Sequence, residues 1–307
     1  MINENMPNIM KQYIIITPCK NEEKNLTGIV NSLAKQSLAP VLWAIIDDGS
    51  TDSTPEMILD IKKKYQWVEN ICLTKSHRDL TIHISEVIKT GFDFAINFCK
   101  HHKIIYDYVV FLDADMVIQD ADFFQKLITE FEKDEYLGIA SAEMQYKNIS
   151  GDIYNAKGRY DTISGGEMMC KRECIDEIGG IPISHAWESV MRIKAKLKGW
   201  KIKRFNNIKI IHTRDTGSAQ GLKKGYYLKG SSEYYLDMNP LIVFTKGFIY
   251  SFKKPYCLGF AYLLGYFNSW IRRKEKTKDQ EIREYFFYRK PREIWQFYFN
   301  KESGRDN

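Results

Sequence analysis

Apolar residues in the first 115 positions alternate between short solid runs and spaced stripes. Tyr13-Ile14-Ile15-Ile16-Thr17 is a largely β-branched run ended by Pro18, and over Glu22 to Gln36 the residues Leu26, Ile29, Val30 and Leu33 fall at i, i+3, i+4 and i+7. That spacing predicts a buried strand, a loop and an amphipathic helix. Leu42-Trp43-Ala44-Ile45-Ile46 repeats the pattern and runs into Asp47-Asp48-Gly49-Ser50. A Ser or Thr between 50 and 54 can cap the helix that follows, and Pro55 suits its first turn. A third run around Ile71-Cys72-Leu73 and a fourth, Tyr108 to Leu112, continue the series. Strands alternating with helices predict an α/β, Rossmann-like fold: a mainly parallel sheet with helices on both faces and ligands at the carboxyl ends of its strands. Pro18 to Glu22, Asp47-Asp48 and Asp113 to Asp115 all follow such ends.

After about residue 140 the alternation weakens. Ser164-Gly165-Gly166 and Gly179-Gly180 interrupt the chain, Trp187 to Lys198 is helix-like, and Ile208 to Ile211 is a further short apolar strand. The expected organisation is one domain over 12–220 in two halves, 12–120 and 121–220, the second completing a substrate site. A mostly helical, aromatic-rich C-terminal extension then covers 221–307. Its apolar run Tyr256 to Phe267 is shorter than the ~20 residues a bilayer span needs. It reads as an interfacial or buried helix, followed by Arg272-Arg273-Lys274.

Composition narrows the class. With 44% hydrophobic and 14% aromatic residues, the 307-residue chain can bury a large core and is not a disordered protein. Six cysteines lack a Cys-x-x-Cys pair; Cys170 and Cys174 are spaced as neighbours on a helix face, and all six read as reduced core thiols. Met1 to Gln12 is polar and short, so no secretory leader is indicated and the catalytic part is expected to face the cytosol. The net charge of +6 is unevenly placed: residues 221–307 hold 17 Lys/Arg against 9 Asp/Glu, and 22 of the 42 aromatics. Cationic and aromatic side chains together suit an anionic membrane surface or a polyanionic partner. Equally, the aromatics can pack on the catalytic core or form a dimer interface. Nucleic acid is not among the expected partners.

The candidate chemistry starts at Asp113-Ala114-Asp115, two carboxylates where a buried strand meets solvent. A hard cation such as Mg²⁺ or Mn²⁺ takes oxygen ligands and keeps positions open for substrate phosphates, so this spacing points to a nucleotide diphosphate. Asp47, Asp48 and Ser50 can cap a helix, and a carboxylate at Asp48 can also accept a nucleobase N–H; the two roles are compatible.

Taken in order, Pro18-Cys19-Lys20-Asn21-Glu22-Glu23, Asp47-Asp48-Gly49-Ser50-Thr51-Asp52, Asp113-Ala114-Asp115, Ser164-Gly165-Gly166, Trp187-Glu188 with Gly199-Trp200-Lys201, and His212 resemble a family 2 glycosyltransferase of the GT-A fold. The resemblance covers roughly residues 12 to 215. It implies that Pro18, Glu22 and Asp48 bind the nucleoside, that Asp113 reaches ribose or a metal-bound water, and that Asp115 ligates a divalent metal (Mn²⁺ or Mg²⁺) on the diphosphate. It also implies that His212 completes the metal shell and that Arg78 contacts phosphate, with Arg214 a further candidate. Without a Cβ, Gly165 and Gly166 allow the backbone to approach a sugar ring closely or else form a turn, and Trp187 can stack on a sugar face or pack in the core. The family carries Glu-Asp about a dozen residues before a Gly-aromatic pair, its Asp acting as catalytic base. Here those positions hold Trp187 and Glu188, so the base would be a Glu, one methylene longer.

The resemblance further implies inverting transfer from a nucleotide-diphospho sugar, a UDP-sugar being the expected donor, to a saccharide or lipid-linked acceptor during polysaccharide or glycan synthesis. Two rival readings remain at this level. A sugar-nucleotidyltransferase would want a Gly-rich, basic phosphate loop near the N-terminus, and Pro18 to Asn25 contains no Gly. A non-catalytic nucleotide- or glycan-binding module would not need Asp113, Asp115 and Glu188. A nicotinamide-dependent Rossmann enzyme is disfavoured because no Gly-x-Gly-x-x-Gly follows the first strand.

Overall fold

A computed structural model describes residues 11–73, 82–147, 153–155, 163, 166–213 and 221–303. The chain divides into two compact units: Met1–Asp79 with Glu86–Pro182 and Ala195–Thr213, and Leu80–Ser85 with Ile183–Lys194 and Arg214–Asn307.

The strands are β1 (Tyr13–Cys19), β2 (Leu42–Asp47), β3 (Val68–Cys72), β4 (Tyr108–Leu112), β5 (Met116–Val117), β6 (Leu137–Lys147), β7 (Ile153–Asn155), β8 (Glu167–Lys171) and β9 (Lys201–His212). The helices up to residue 197 are α1 (Leu26–Leu33), α2 (Thr54–Lys64), α3 (Ile82–His102), α4 (Phe123–Lys133), α5 (Arg172–Glu177) and α6 (Trp187–Leu197). All the strands belong to the first unit and form one sheet in the order β3-β2-β1-β4-β8-β6-β9-β5, with β7 on β6. The first four pair in parallel, as their alternation with helices predicts. Beyond β4 the sheet is mixed, antiparallel at β4–β8, β8–β6 and β9–β5 and parallel at β6–β9. Tyr13, Ile15, Trp43, Ile45 and Val110 pack with Leu26, Phe124 and Phe131 on one face. Ile16 and Ile46 meet Gly91 of α3 on the other.

Several elements differ in extent from their expected bounds. β1 continues through Pro18, where its pairing with β4 has already ended at Ile16 and only β2 remains alongside, so the missing N–H is tolerated. α1 starts at Leu26, because Glu22 to Asn25 form a turn in which the Asn25 and Leu26 amides donate to the Glu22 carbonyl at 2.9 and 3.0 Å. The strand read at Ile208 to Ile211 is the end of twelve-residue β9. Its register against β6 shifts between Ala142 and Glu143, and the polar pair Asn206-Asn207 at that irregularity conceals the first half of the strand from an apolar-run reading. Cys170 lies on β8 and Cys174 on α5, so they do not share a helix face. Nor are all six thiols in the core: Cys72 is exposed and Cys257 half-buried.

In the second unit the main helices are α7 (Leu222–Tyr235), α8 (Pro240–Ser251), α9 (Leu258–Ile271), α10 (Gln280–Glu284) and α11 (Lys290–Ser303). α7 and α9 approach closely through glycine: a Cβ on Gly230 would strike the Tyr262 carbonyl, and one on Gly265 the Tyr227 carbonyl. Buried polar groups lock the pair, with Ser231 Oγ 2.9 Å from Ser269 Oγ and Tyr262 donating its hydroxyl to Glu233. Lys246 of α8 donates to the same Glu233 at 2.8 Å. Asn239 caps α8 by accepting the Leu241 amide at 3.0 Å, with Pro240 in the first turn.

Because the atom facing Gly265 is backbone and cannot swing away, Gly265→Ala should destabilise the helical unit by about 1–3 kcal/mol. Chemical denaturation of this variant beside the parent checks it; equal midpoints would show that α7 and α9 can separate without cost.

Candidate active site

Parallel strands β1, β2 and β4 end at the same edge of the sheet, and the exit loops of β1 and β2 interlock. The Asn21 amide donates to Ser50 Oγ at 2.9 Å, the Thr51 amide to Asn21 Oδ1 at 2.8 Å, and the Glu22 amide to Thr54 Oγ1 at 2.8 Å. Asn21 has φ 56°, a left-handed conformation that Asn tolerates better than most residues. Lys20 bridges the same two loops, donating to the Asp48 carbonyl at 2.8 Å and to its carboxylate at 3.2 Å. Asp47 Oδ1 accepts the Ser50 amide at 2.9 Å and so shapes the turn. The start of α2 is held by Asp52, which accepts the Thr54 amide at 3.0 Å, whereas the cap-position residue Ser53 makes no side-chain cap bond.

Asp113 and Asp115 leave β4 toward β5. The Asp113 amide donates to the Gly166 carbonyl at 2.9 Å. A Cβ on Gly166 would lie 3.3 Å from Asp113 Oδ2 and collide with the Met116 side chain, so glycine here gives the aspartate its room. β5 pairs antiparallel with the end of β9, Met116 opposite His212. That pairing brings His212 Nε2 to 2.9 Å from Asp115 Oδ2 across 97 residues of sequence, with side chains 11% and 4% exposed. Thr213 and Asn25 extend the cluster. The Thr213 hydroxyl lies 3.0 Å from the Asp115 carbonyl and 3.1 Å from Asn25 Oδ1, and Asn25 Nδ2 donates to Glu22 Oε2 at 2.7 Å. Buried Glu22 is thereby connected to Asp115 through two neutral side chains.

Among the described residues no three His, Cys, Asp or Glu side chains converge to hold an ion by themselves. Asp115 and His212 form a two-residue set of carboxylate and imidazole, with half-buried Asp113 two positions away. A partial set of this chemistry fits a divalent cation that completes its coordination with diphosphate oxygens and water. A closed structural site would need more protein ligands.

Glu167, at the start of β8 and opposite Leu112, is fully buried. Burial pushes its carboxyl up to about 8, partly opposed by the Ala142 amide, which donates to Oε2 at 2.7 Å. It is therefore largely a neutral acid at pH 7. The sequence signal for it was a lone Glu beginning the apolar run Met168-Met169-Cys170. Lys20, Asn25 and Thr213 also went unassigned in the sequence, where each is an ordinary loop residue.

Glu188 and Trp187 belong to the second unit, in the first turn of α6. Trp187 is buried and Glu188 half-buried, a position where the helix dipole favours a carboxylate. Just before them Ala186 takes φ 49°, an uncommon backbone for a residue with a Cβ. His185 stacks on Tyr235 with ring centroids 4.4 Å apart and places Nδ1 3.2 Å from Ser232 Oγ, tying this segment to α7. Arg192 Nε donates to the Glu188 carbonyl at 3.1 Å. Arg78, Ser164, Gly165 and Arg214 lie outside the described residues.

The family model described as Glycosyl transferase family 2 matches residues 14–173, just over half of the chain. Poly-beta-1,6-N-acetyl-D-glucosamine synthase of Staphylococcus epidermidis is 26% identical over 207 residues, which is 61% of this chain and 45% of that protein. The chain thus spans less than half the length of this curated relative. Among solved structures, S. aureus TarS 1–349 in complex with UDP-GlcNAc superposes with a TM-score of 0.53 at 16% identity, covering 89% of this chain and 78% of the other. The mannosyltransferase PcManGT from Pyrobaculum calidifontis, in complex with GDP-Man and Mn²⁺, gives 0.54 at 14% identity and covers 83% and 69%. At these identities the structural matches speak for the fold, which is GT-A.

Between the ordinary carboxyl value of 4.5 and about 8, folded Glu167 keeps a proton that the unfolded chain has lost. Its contribution therefore weakens the fold as pH rises through that window. Glu167→Gln lacks this dependence, so variant minus parent stability should shift in favour of the variant from pH 5 to 8, by at most about 1.4 kcal/mol per pH unit. Urea melts of the two proteins along a pH series check it, and parallel curves would show that Glu167 ionises normally.

Proposed function

The chain belongs to glycosyl transferase family 2, and we propose that it moves a sugar from a UDP-sugar to a saccharide or lipid-linked acceptor with inversion at the anomeric carbon. The observation that carries this reading is the Asp115–His212 contact at the ligand-binding edge of the sheet, linked through Thr213 and Asn25 to Glu22 in the first-strand loop. The donor assignment draws support from the UDP-GlcNAc complex of TarS and from the N-acetylglucosamine polymer named in the curated relative.

In this reading Asp48, steadied by Lys20, accepts the imide N–H of uracil, and the Pro18 carbonyl and ring shape the same pocket. Asp113 accepts a ribose hydroxyl. Asp115 and His212 hold the divalent cation, Mn²⁺ or Mg²⁺. When bound, that cation supplies Lewis-acid stabilisation of the charge gathering on the departing diphosphate. Arg78 adds a guanidinium to the same charge. Glu188 takes the proton of the acceptor hydroxyl as its oxygen attacks the anomeric carbon, so one bond forms as the bond to UDP breaks. Gly165, Gly166 and Trp187 line the sugar side.

Thermal melts with UDP, GDP and CDP, each with and without Mn²⁺, test the donor site. UDP with Mn²⁺ should raise the melting temperature by a few degrees more than either alone. Asp115→Asn should lose the Mn²⁺-dependent part. Equal shifts for all three nucleotides, or an unchanged Mn²⁺ effect in the variant, would remove the UDP or the metal assignment respectively. Glu188→Gln should keep the UDP–Mn²⁺ shift while sugar transfer drops about 100-fold or more; turnover near the parent value would strike out Glu188 as base.

A further inference from the structure

We propose that the outer face of the α8–α9 hairpin lies flat on an anionic lipid bilayer. The inference stands apart from the transferase reading, because its readout is partition into vesicles and needs no substrate.

Each helix of the hairpin buries one side and leaves the other apolar. Val243 and Gly247 of α8 face inward, while Leu241, Phe244, Phe248 and Ile249 are exposed at 72%, 53%, 67% and 50%. On α9, Tyr262, Gly265, Tyr266 and Ser269 face inward, while Phe260, Leu264, Trp270 and Ile271 are exposed at 69%, 48%, 61% and 70%. Leu241, Phe244 and Phe248 on α8, and Phe260, Leu264, half-buried Phe267 and Ile271 on α9, recur at three- and four-residue intervals, so each helix carries a stripe. The stripes adjoin, with the Phe244 ring 5.4 Å from that of Phe267 and Gly247 packed against Leu263. An exposed apolar surface of this extent marks a contact surface.

Charge selects the partner. From Met238 to Lys274 there is no Asp or Glu, and there are six Lys or Arg. Lys246 turns inward to Glu233. The other five sit at the ends of the apolar face: Lys253 and Lys254 in the connection between the helices, and Arg272, Arg273 and Lys274 immediately after α9, all exposed. An apolar strip bounded by cations and free of anions matches acyl chains below and phosphate headgroups around them. A second copy of this chain would bring the same cations and no anions to the contact from this segment. The fourteen residues of α9 span ~21 Å, short of the ~30 Å hydrocarbon layer. Among the described residues no helix is long and apolar enough to cross a membrane. The hairpin therefore rests within the interface.

The test is flotation of the full chain with phosphatidylcholine vesicles, with and without phosphatidylglycerol. The parent protein should float with the phosphatidylglycerol vesicles and largely stay behind with the neutral ones. The pair Phe248→Glu with Phe260→Glu should lower partition about tenfold or more. Neutralising Lys253, Lys254, Arg272 and Arg273 to Gln should do the same on anionic vesicles only, and added salt should mimic it. All six positions are exposed, so melting temperatures should match the parent; the charge set keeps the test decisive if the Phe pair impairs folding. Absence of flotation, or flotation that neither set alters, overturns the proposal. So does a parent dimer in lipid-free sedimentation that the Phe pair converts to monomer while vesicle binding persists, which would assign the face to a second copy.

Discussion

Three residues, Asp113 to Asp115, are all that separates β4 from β5, and that shortness bends the sheet. In the strand order β5 stands four places from β4, beyond β8, β6 and β9. In a flat sheet four interstrand steps cover roughly 19 Å, whereas the four Cα steps from Leu112 to Met116 reach about 14 Å at full stretch. The sheet has to curl until its β9–β5 edge returns to the end of β4. The two aspartates occupy the point of closure, and His212, last residue of β9, arrives beside Asp115 as a result. The proposed site for a diphosphate and its cation thus lies where a topological demand falls on a segment with no slack.

Around that closure the first unit buries several carboxyl groups. Glu22, Asp47, Asp48 and Asp115 are all buried. All four are tolerable because an amide, Lys20, Asn25 and His212 meet them. Glu167 is handled in another way: with one backbone amide as partner, burial keeps it protonated instead of pairing its charge. Carboxyl groups held by several polar partners and one held by a single amide therefore coexist within one unit.

The second unit solves a different packing problem. Gly230 and Gly265 let α7 and α9 approach backbone to backbone, and Ser231, Ser269, Tyr262 and Glu233 satisfy one another inside. That arrangement uses up the small and polar residues of α9 on its inner side. What remains for the outer side is Phe, Leu, Trp and Ile, with the cations confined to the ends of the helices.

Strands β1 to β4, helices α1 and α2 and the carboxylates at the strand ends were legible in the chain, because a strand run or a helical stripe is written within about eight residues. The family likeness was legible too, through motifs of two to six residues kept in order. Less was visible after residue 140, where the Asn206-Asn207 interruption hid half of β9 and the cysteines 170 and 174 fell on different elements. Only the tertiary structure decided that Thr213 and Asn25 join Glu22 to Asp115, that Glu167 is sealed from water, and which sides of α8 and α9 face outward. Periodicity and turn chemistry act between near neighbours and so are fixed locally. Contacts such as Asp115 to His212 depend on how a whole sheet curls over a separation of 97 positions, and no local pattern carries that information.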